Sequence, residues 1–151
     1  MNKVTGSGYL VMPAAATGID PANAGTAWNN GAWSELTSST GEDRSVIGVI
    51  YGWDAQDNNT LVQAEIDIGT GGAGSETAVS TVPAYKQQSM TGSFNSAILT
   101  GSDDHTPVFF PAPIEITSGT RVAVRVRSSD TGLEPADIRL IYVKKTELVA
   151  R

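Results

Sequence analysis

The sequence predicts an all-β fold, a single β-sandwich of Greek-key or jelly-roll type with an extended N-terminal arm. Three observations carry this expectation. Apolar residues recur at spacing two or in short continuous runs, as strands covered on one or both faces require. Gly, Pro, Asn and Asp break these runs every ten or so residues. No convincing helix pattern stands beside them.

Taken in order, residues 1–31 read as an arm or loosely packed lead-in and residues 32–151 as the sandwich domain. Within the lead-in, Gly8 to Pro13 is a weak strand, whereas Ala14 to Gly31 is small and turn-prone, with Pro21 and the run Asn29-Asn30-Gly31. Trp33 to Ser38 is a second weak strand. Ser45 to Trp53 is apolar on both faces, as expected of a central strand. From Thr60 to Ile68, Val62, Ala64, Ile66 and Ile68 alternate with Gln63, Glu65 and Asp67, which predicts a half-buried strand. Thr77 to Val82, Pro107 to Phe110 and Ile114 to Ile116 are weaker candidates. Thr120 to Arg127 alternates again, Val122, Val124 and Val126 against Arg121, Ala123, Arg125 and Arg127. Ile138 to Val143 is expected to close the sheet near the C-terminus. Eight or nine short strands result. The long connection from Tyr85 to Asp104 favours crossings between sheets over a simple meander. No internal repeat is visible.

Gly69, Gly71 and Gly74 spell G-x-G-x-x-G after a strand-like run, superficially a dinucleotide or phosphate cradle. That chemistry needs a helix starting at the last glycine, so that free N–H groups face the phosphate. The next residues, Ser75 to Pro83, are rich in β-branched side chains that favour a strand. No acidic residue closes a second strand to hold a ribose. The glycines are therefore expected to form a turn between two antiparallel strands.

At 151 residues the chain suits one domain, burying roughly 70% of its unfolded surface. The absence of cysteine excludes disulfides and thiolate sites. The start, Met1 to Gly6, lacks the apolar core of a signal peptide, and no apolar run approaches the roughly 20 residues that cross a bilayer. A soluble protein made without Sec export, with no membrane partner, is the expectation. Sixteen acidic residues against ten basic give a net charge of −6, and the basic residues are scattered apart from Arg121, Arg125 and Arg127. Nucleic acid, which needs concentrated Lys and Arg, is not an expected partner. Charged residues make up only 17% of the chain, against about a quarter typically. With abundant Ala, Gly, Ser and Thr, this suggests a surface that faces other protein.

Four constellations offer chemistry. Asp103-Asp104-His105 places the only histidine beside two carboxylates, but no serine has a nucleophile-elbow setting, and an exposed polar loop explains the triplet better. Asp54, Asp57, Asn58 and Asn59 offer hard oxygen atoms, yet D-x-x-D-N-N is not a calcium-loop spacing; a turn is the better reading. One histidine and no cysteine make a zinc site unexpected, and no cofactor or metal is implied. Glu65 and Asp67 share a strand face as paired carboxylates might for glycoside cleavage, but Arg125 and Arg127 repeat that spacing, so cross-strand or intersubunit ion pairs account for both sets. Trp28, Trp33 and Trp53 suit either sugar stacking or protein contact, with packing the default for Trp33 and Trp53. Tyr9, Leu10, Val11 and Met12, and Phe109-Phe110 beside Pro111 and Pro113, have the character of packing or contact residues.

Three stretches together resemble small β-rich virion proteins of tailed bacteriophages: Trp33 to Ser39, the Ile66 to Glu76 turn, and Pro113 to Ile116 leading into Gly119 to Arg125. The similarity spans most of Trp33 to Val143 in the same order. It implies a structural role in a capsid or tail, with no catalytic residues to carry over. In size and character the chain looks like a capsid decoration, or cement, protein. Such proteins are often trimeric, bind the major capsid protein and hold the shell against internal pressure. The resemblance thus implies a virion location on the capsid surface and a homo-oligomer, a trimer in keeping with that class. By their own character, Tyr9, Leu10, Val11, Met12, Trp28, Phe109, Phe110, Arg125 and Arg127 are the expected protein-interface residues. The alternative within the virion is a tail or surface-fibre protein that recognises host glycans. A hydrolase using His105 is the third and weakest reading.

Overall fold

The structure, a computed structural model, describes residues 9–15, 17–22, 24–53, 62–86, 106–131 and 135–145. Eight strands occur in chain order: β1 (Leu10–Met12), β2 (Ser34–Thr37), β3 (Arg44–Trp53), β4 (Val62–Thr70), β5 (Thr77–Lys86), β6 (Thr106–Ile116), β7 (Val122–Ser128) and β8 (Pro135–Lys144). The Asp54 to Asn59 turn, the connection leading to Asp104 and the Asp103-Asp104-His105 triplet lie outside the described residues.

Pairing obeys one rule. The first strand pairs with the last (Leu10 opposite Tyr142), the second with the next to last (Ser34 opposite Val124), and so inward to β4 and β5 (Ile66 opposite Val82), all antiparallel. The chain is thus doubled back on itself about the turn between β4 and β5. Additional pairing of β8 with β3 and of β7 with β4 joins the ribbon into two four-stranded antiparallel sheets. Their orders are β1-β8-β3-β6 and β2-β7-β4-β5. One apolar cluster takes side chains from both, with Val46, Val49, Ile138 and Leu140 on one side and Ile66, Ile68, Val124 and Val126 on the other.

The doubling point is the glycine segment. Ser75 N–H donates to the Gly72 carbonyl at 2.9 Å, closing a tight turn, and Thr70 lies opposite Thr77. Gly71 and Gly74 take φ of 126° and 82°, where a side chain is strained. No helix begins at Ser75: β5 starts two residues later, and the nucleotide motif is a hairpin.

Three expected boundaries shift. Pro107 to Phe110 and Ile114 to Ile116 are one strand, β6, interrupted where Phe110 to Pro113 oppose the single residue Ile47. Pro111 and Pro113 lack the N–H that regular pairing needs, so the irregularity falls on them. Ile138 to Val143 does not close a sheet edge; β8 runs between β1 and β3. The described part of residues 1–31 is tied to the domain. Met12 is in the core, Ile19 and Ile138 exchange backbone hydrogen bonds of 3.0 and 2.8 Å, and the N–H groups of Trp28 and Gly31 donate to Ser128 and Val126. Its small, polar composition hides this because backbone pairing needs no particular side chain.

The turn gives a stability test. Gly71→Ala should lower the unfolding free energy by about 2 kcal/mol, as expected for a residue forced into a glycine-only conformation. Gly41→Ala, with open space around it, should change it by less than about 0.5 kcal/mol. Urea titrations of both variants check the contrast.

Candidate functional site

Both sheets carry ion pairs on their outward faces. On the β2-β7-β4-β5 sheet, register places Glu65 opposite Arg127 and Asp67 opposite Arg125. The Arg125 Nε donates to Asp67 Oδ2 at 2.8 Å, and the Thr81 hydroxyl donates to Asp67 Oδ1 at 2.6 Å. Arg127 forms an ion pair with Glu65. The Arg125 guanidinium also stacks 4.4 Å from the Trp33 ring centroid. Trp33 in turn lies over Gly69, where an added Cβ would stand 2.5 Å from the ring. Each carboxylate of the expected pair is thus held by its own guanidinium, an arrangement that stabilises the sheet. Arg125 and Arg127, expected as contact residues, are committed to these partners.

At the end of this sheet Arg121 joins two carboxylates, Glu35 at 2.7 Å and Glu76. Glu76 lies just beyond the glycine turn, and its side chain is 2% exposed. Burial alone would push its carboxyl up. Hydrogen bonds from its own backbone, from Arg121 and from the Gly74 backbone outweigh burial and hold it below the usual carboxylate range. Glu115 is held down chiefly by its hydrogen bond from Lys145. The sequence pointed to none of this, because only the β2–β7 register brings Glu35 beside Arg121.

Ion pairing extends across the described surface. Arg44 and Lys144 meet Glu42, Arg139 meets Asp137, and Lys145 meets Glu115. Every Arg or Lys whose side chain is described therefore has a carboxylate partner, and a polyanion would have to displace it. Among the described residues, no group of three or more His, Cys, Asp or Glu is placed to hold a metal ion, and no helix is long and apolar enough to cross a membrane.

The outward face of the β1-β8-β3-β6 sheet mixes apolar and charged side chains, with Arg139 opposite Ile50 and Glu115 opposite Ser45. Leu10, Met12, Val46, Val49, Tyr51, Leu140 and Tyr142 belong to or pack on the core. Alternation along each strand therefore sends Val11, Ile50, Ile141 and Val143 to the other side, and Ile47 joins them beside the β3 irregularity. Phe109 lies opposite Gly48 and covers it, as cross-strand aromatics commonly do for glycine. Tyr9 packs on Phe109 with ring centroids 6.2 Å apart. Yet Tyr9 and Phe109 remain 67% and 57% exposed, the first and third highest values among large apolar side chains.

The structure thus divides the residues that the sequence left between packing and contact. Leu10, Met12 and Phe110 face the core and are packing residues, because they alternate with Tyr9, Val11 and Phe109. Trp28 is exposed at 45% with φ of 63°. Trp53 packs against the core and meets Tyr51 edge-on, whereas Trp33 sits outside the core on the opposite sheet. The three tryptophans do not form one aromatic patch. No family model matches the chain, and no curated protein or solved structure is significantly similar to it.

Two measurements test the ion pairs. Arg125→Ala should cost about 1–3 kcal/mol, since it strands the buried Asp67 and uncovers Trp33. Arg127→Ala, whose pair is about one-third exposed on both sides, should cost less than about 1 kcal/mol. A carboxyl whose native pKa lies below its unfolded value of about 4.3 contributes stability above that pH and loses it as the pH falls through the native value. Glu76→Gln should therefore be less stable than the parent at pH 6 but lose less between pH 5 and pH 3. Denaturant midpoints at the three pH values give the comparison.

Proposed function

We propose that the chain is a phage virion structural protein, a capsid decoration protein that binds the major capsid protein lattice. The observation that carries this reading is the strand order. An eight-stranded ribbon paired first with last and wrapped into sheets 1-8-3-6 and 2-7-4-5 has the order expected of a jelly roll, the architecture of many viral capsid domains. Fold alone does not define function. The reading therefore also rests on the sequence resemblance to small virion proteins and on a surface whose described basic side chains are each paired with a carboxylate. The exposed rings of Tyr9 and Phe109 supply contact area without chemistry. The mechanism is binding energy: many modest contacts, repeated over a shell, each favouring the assembled lattice by mass action.

Lectin domains share the jelly roll, and the exposed Trp28 offers a sugar-stacking ring, so glycan recognition from a tail or fibre is the second reading. Stoichiometry in purified particles separates the two. The decoration role requires a copy number comparable to that of the major coat protein. A handful of copies per particle, or binding on a glycan array, would replace it with the tail reading.

A further inference from the structure

We propose that β1 is exchangeable between copies of this chain: it leaves β8 together with the lead-in that follows it and pairs, in the same register, with β8 of a second copy. The described lead-in, Tyr9 to Gly31, is fastened to its own domain, and the kind of fastening is what permits exchange.

The lead-in adds little to the core. Met12 is the one member of the buried apolar cluster that precedes Leu36, with Leu10 and Ile19 packed against it. The other fastenings are polar. β1 has three rungs on β8. Ile19 and Ile138 exchange backbone hydrogen bonds, the Gly18 N–H donates to the Asp137 carboxylate, and the Asp137 N–H donates to Asp20 Oδ1 at 2.6 Å. The N–H groups of Trp28 and Gly31 donate to the Ser128 and Val126 carbonyls at 2.7 and 2.9 Å. On release each of these groups bonds to water instead, so their net hold is modest.

Backbone strain falls at the same places. Among the described residues only two other than glycine have positive φ, Trp28 at 63° and Asp137 at 49°. Both are fastening points. Aspartate tolerates this region, whereas for a bulky side chain it is an outlier. The Trp28 ring is exposed, so little packing offsets the strain, and release of the lead-in relieves it.

The vacated slot selects its occupant. β8 lies inside its sheet, and loss of β1 leaves its edge open. An open edge is a template for another strand. Leu10 and Met12 meet the core from alternate positions, and the segment that fits this register is β1 itself, which every copy carries. Mutual exchange between two copies is two-fold and closed, and it needs no contact that the single chain lacks. Once freed, the chain from Pro13 to Gly31 extends on the order of 60 Å, enough to reach a neighbour. The tether keeps β1 at a millimolar effective concentration in its own chain. The closed monomer therefore dominates when dilute, and exchange grows with concentration.

The absence of cysteine makes a direct test possible. Val11 lies opposite Ile141. Because Ile19 and Ile138 form a hydrogen-bonded pair, alternation makes Val11 and Ile141 a non-hydrogen-bonded pair with Cα atoms about 4.5 Å apart, within disulfide reach. Val11→Cys and Ile141→Cys, prepared as separate full chains, are mixed at several hundred micromolar in urea below the unfolding midpoint, then diluted and oxidised. The covalent heterodimer should exceed by at least about tenfold that from Val11→Cys mixed with Tyr85→Cys, since only exchange brings two thiols into bonding geometry; Tyr85 is exposed on the opposite sheet. In the unaltered chain, the amides of Ile19, Trp28 and Gly31 should exchange hydrogen through one shared opening, at least about a hundredfold less protected than that of Ile66. Heterodimer at the control level overturns the proposal, as do lead-in amides protected as well as Ile66. Should Ile141→Cys fail to fold by circular dichroism, sedimentation velocity of the unaltered chain after the same incubation decides in its place. A dimer that survives dilution supports exchange, and a monomer overturns it. These outcomes do not depend on whether the protein decorates a capsid.

Discussion

Register, set at the glycine turn, is the constraint on which the rest of the structure depends. Because each strand pairs with the one equally far from that turn along the ribbon, alignment of Thr70 with Thr77 is the innermost rung. In a strand, a slip of one residue sends every side chain to the opposite face. Here it would drive Glu65 and Asp67 into the apolar cluster and Ile66 into solvent. The Gly71 and Gly74 conformations, the turn hydrogen bond and the Arg121 bridge to Glu76 all act within a few residues of this point. Irregularities beside Ile47 and within Phe110 to Pro113 then absorb the mismatch between partner strands without moving the core residues on either side.

Much of this was legible in the sequence because the relevant signals are local. Alternation in Val62 to Ile68 and Val122 to Val126 located β4 and β7 and the side each would bury. The matching spacing of Glu65, Asp67, Arg125 and Arg127 anticipated a cross-strand ladder, and the β-branched run after Gly74 distinguished a hairpin from a phosphate loop. Long-range facts left no such trace. Nothing local tells that Leu10 to Met12 pairs with β8, or that Glu35 and Glu76 converge on Arg121. Phe109 and Phe110 looked alike as neighbours. Only their placement on opposite sides of β6 makes one a surface residue and the other a packing residue.

The two outward faces show how one sandwich-like frame can solve the same problem twice. Each has an aromatic ring laid over a backbone glycine, Trp33 on Gly69 and Phe109 on Gly48. A ring fills the gap that a missing side chain leaves in the pleat, so both arrangements are structural in origin. They differ in what lies above the ring. Arg125 caps Trp33 and is itself neutralised by Asp67, which completes that surface. Phe109 instead meets Tyr9, another hydrocarbon-rich ring.

Pairing of the first strand with the last has a practical corollary. Antiparallel alignment of Leu10 with Tyr142 brings the entry of β1 beside the exit of β8, so both ends of the described fold leave from one corner. A short linker from Lys145 to Tyr9 would therefore suffice to open the chain elsewhere as a circular permutant.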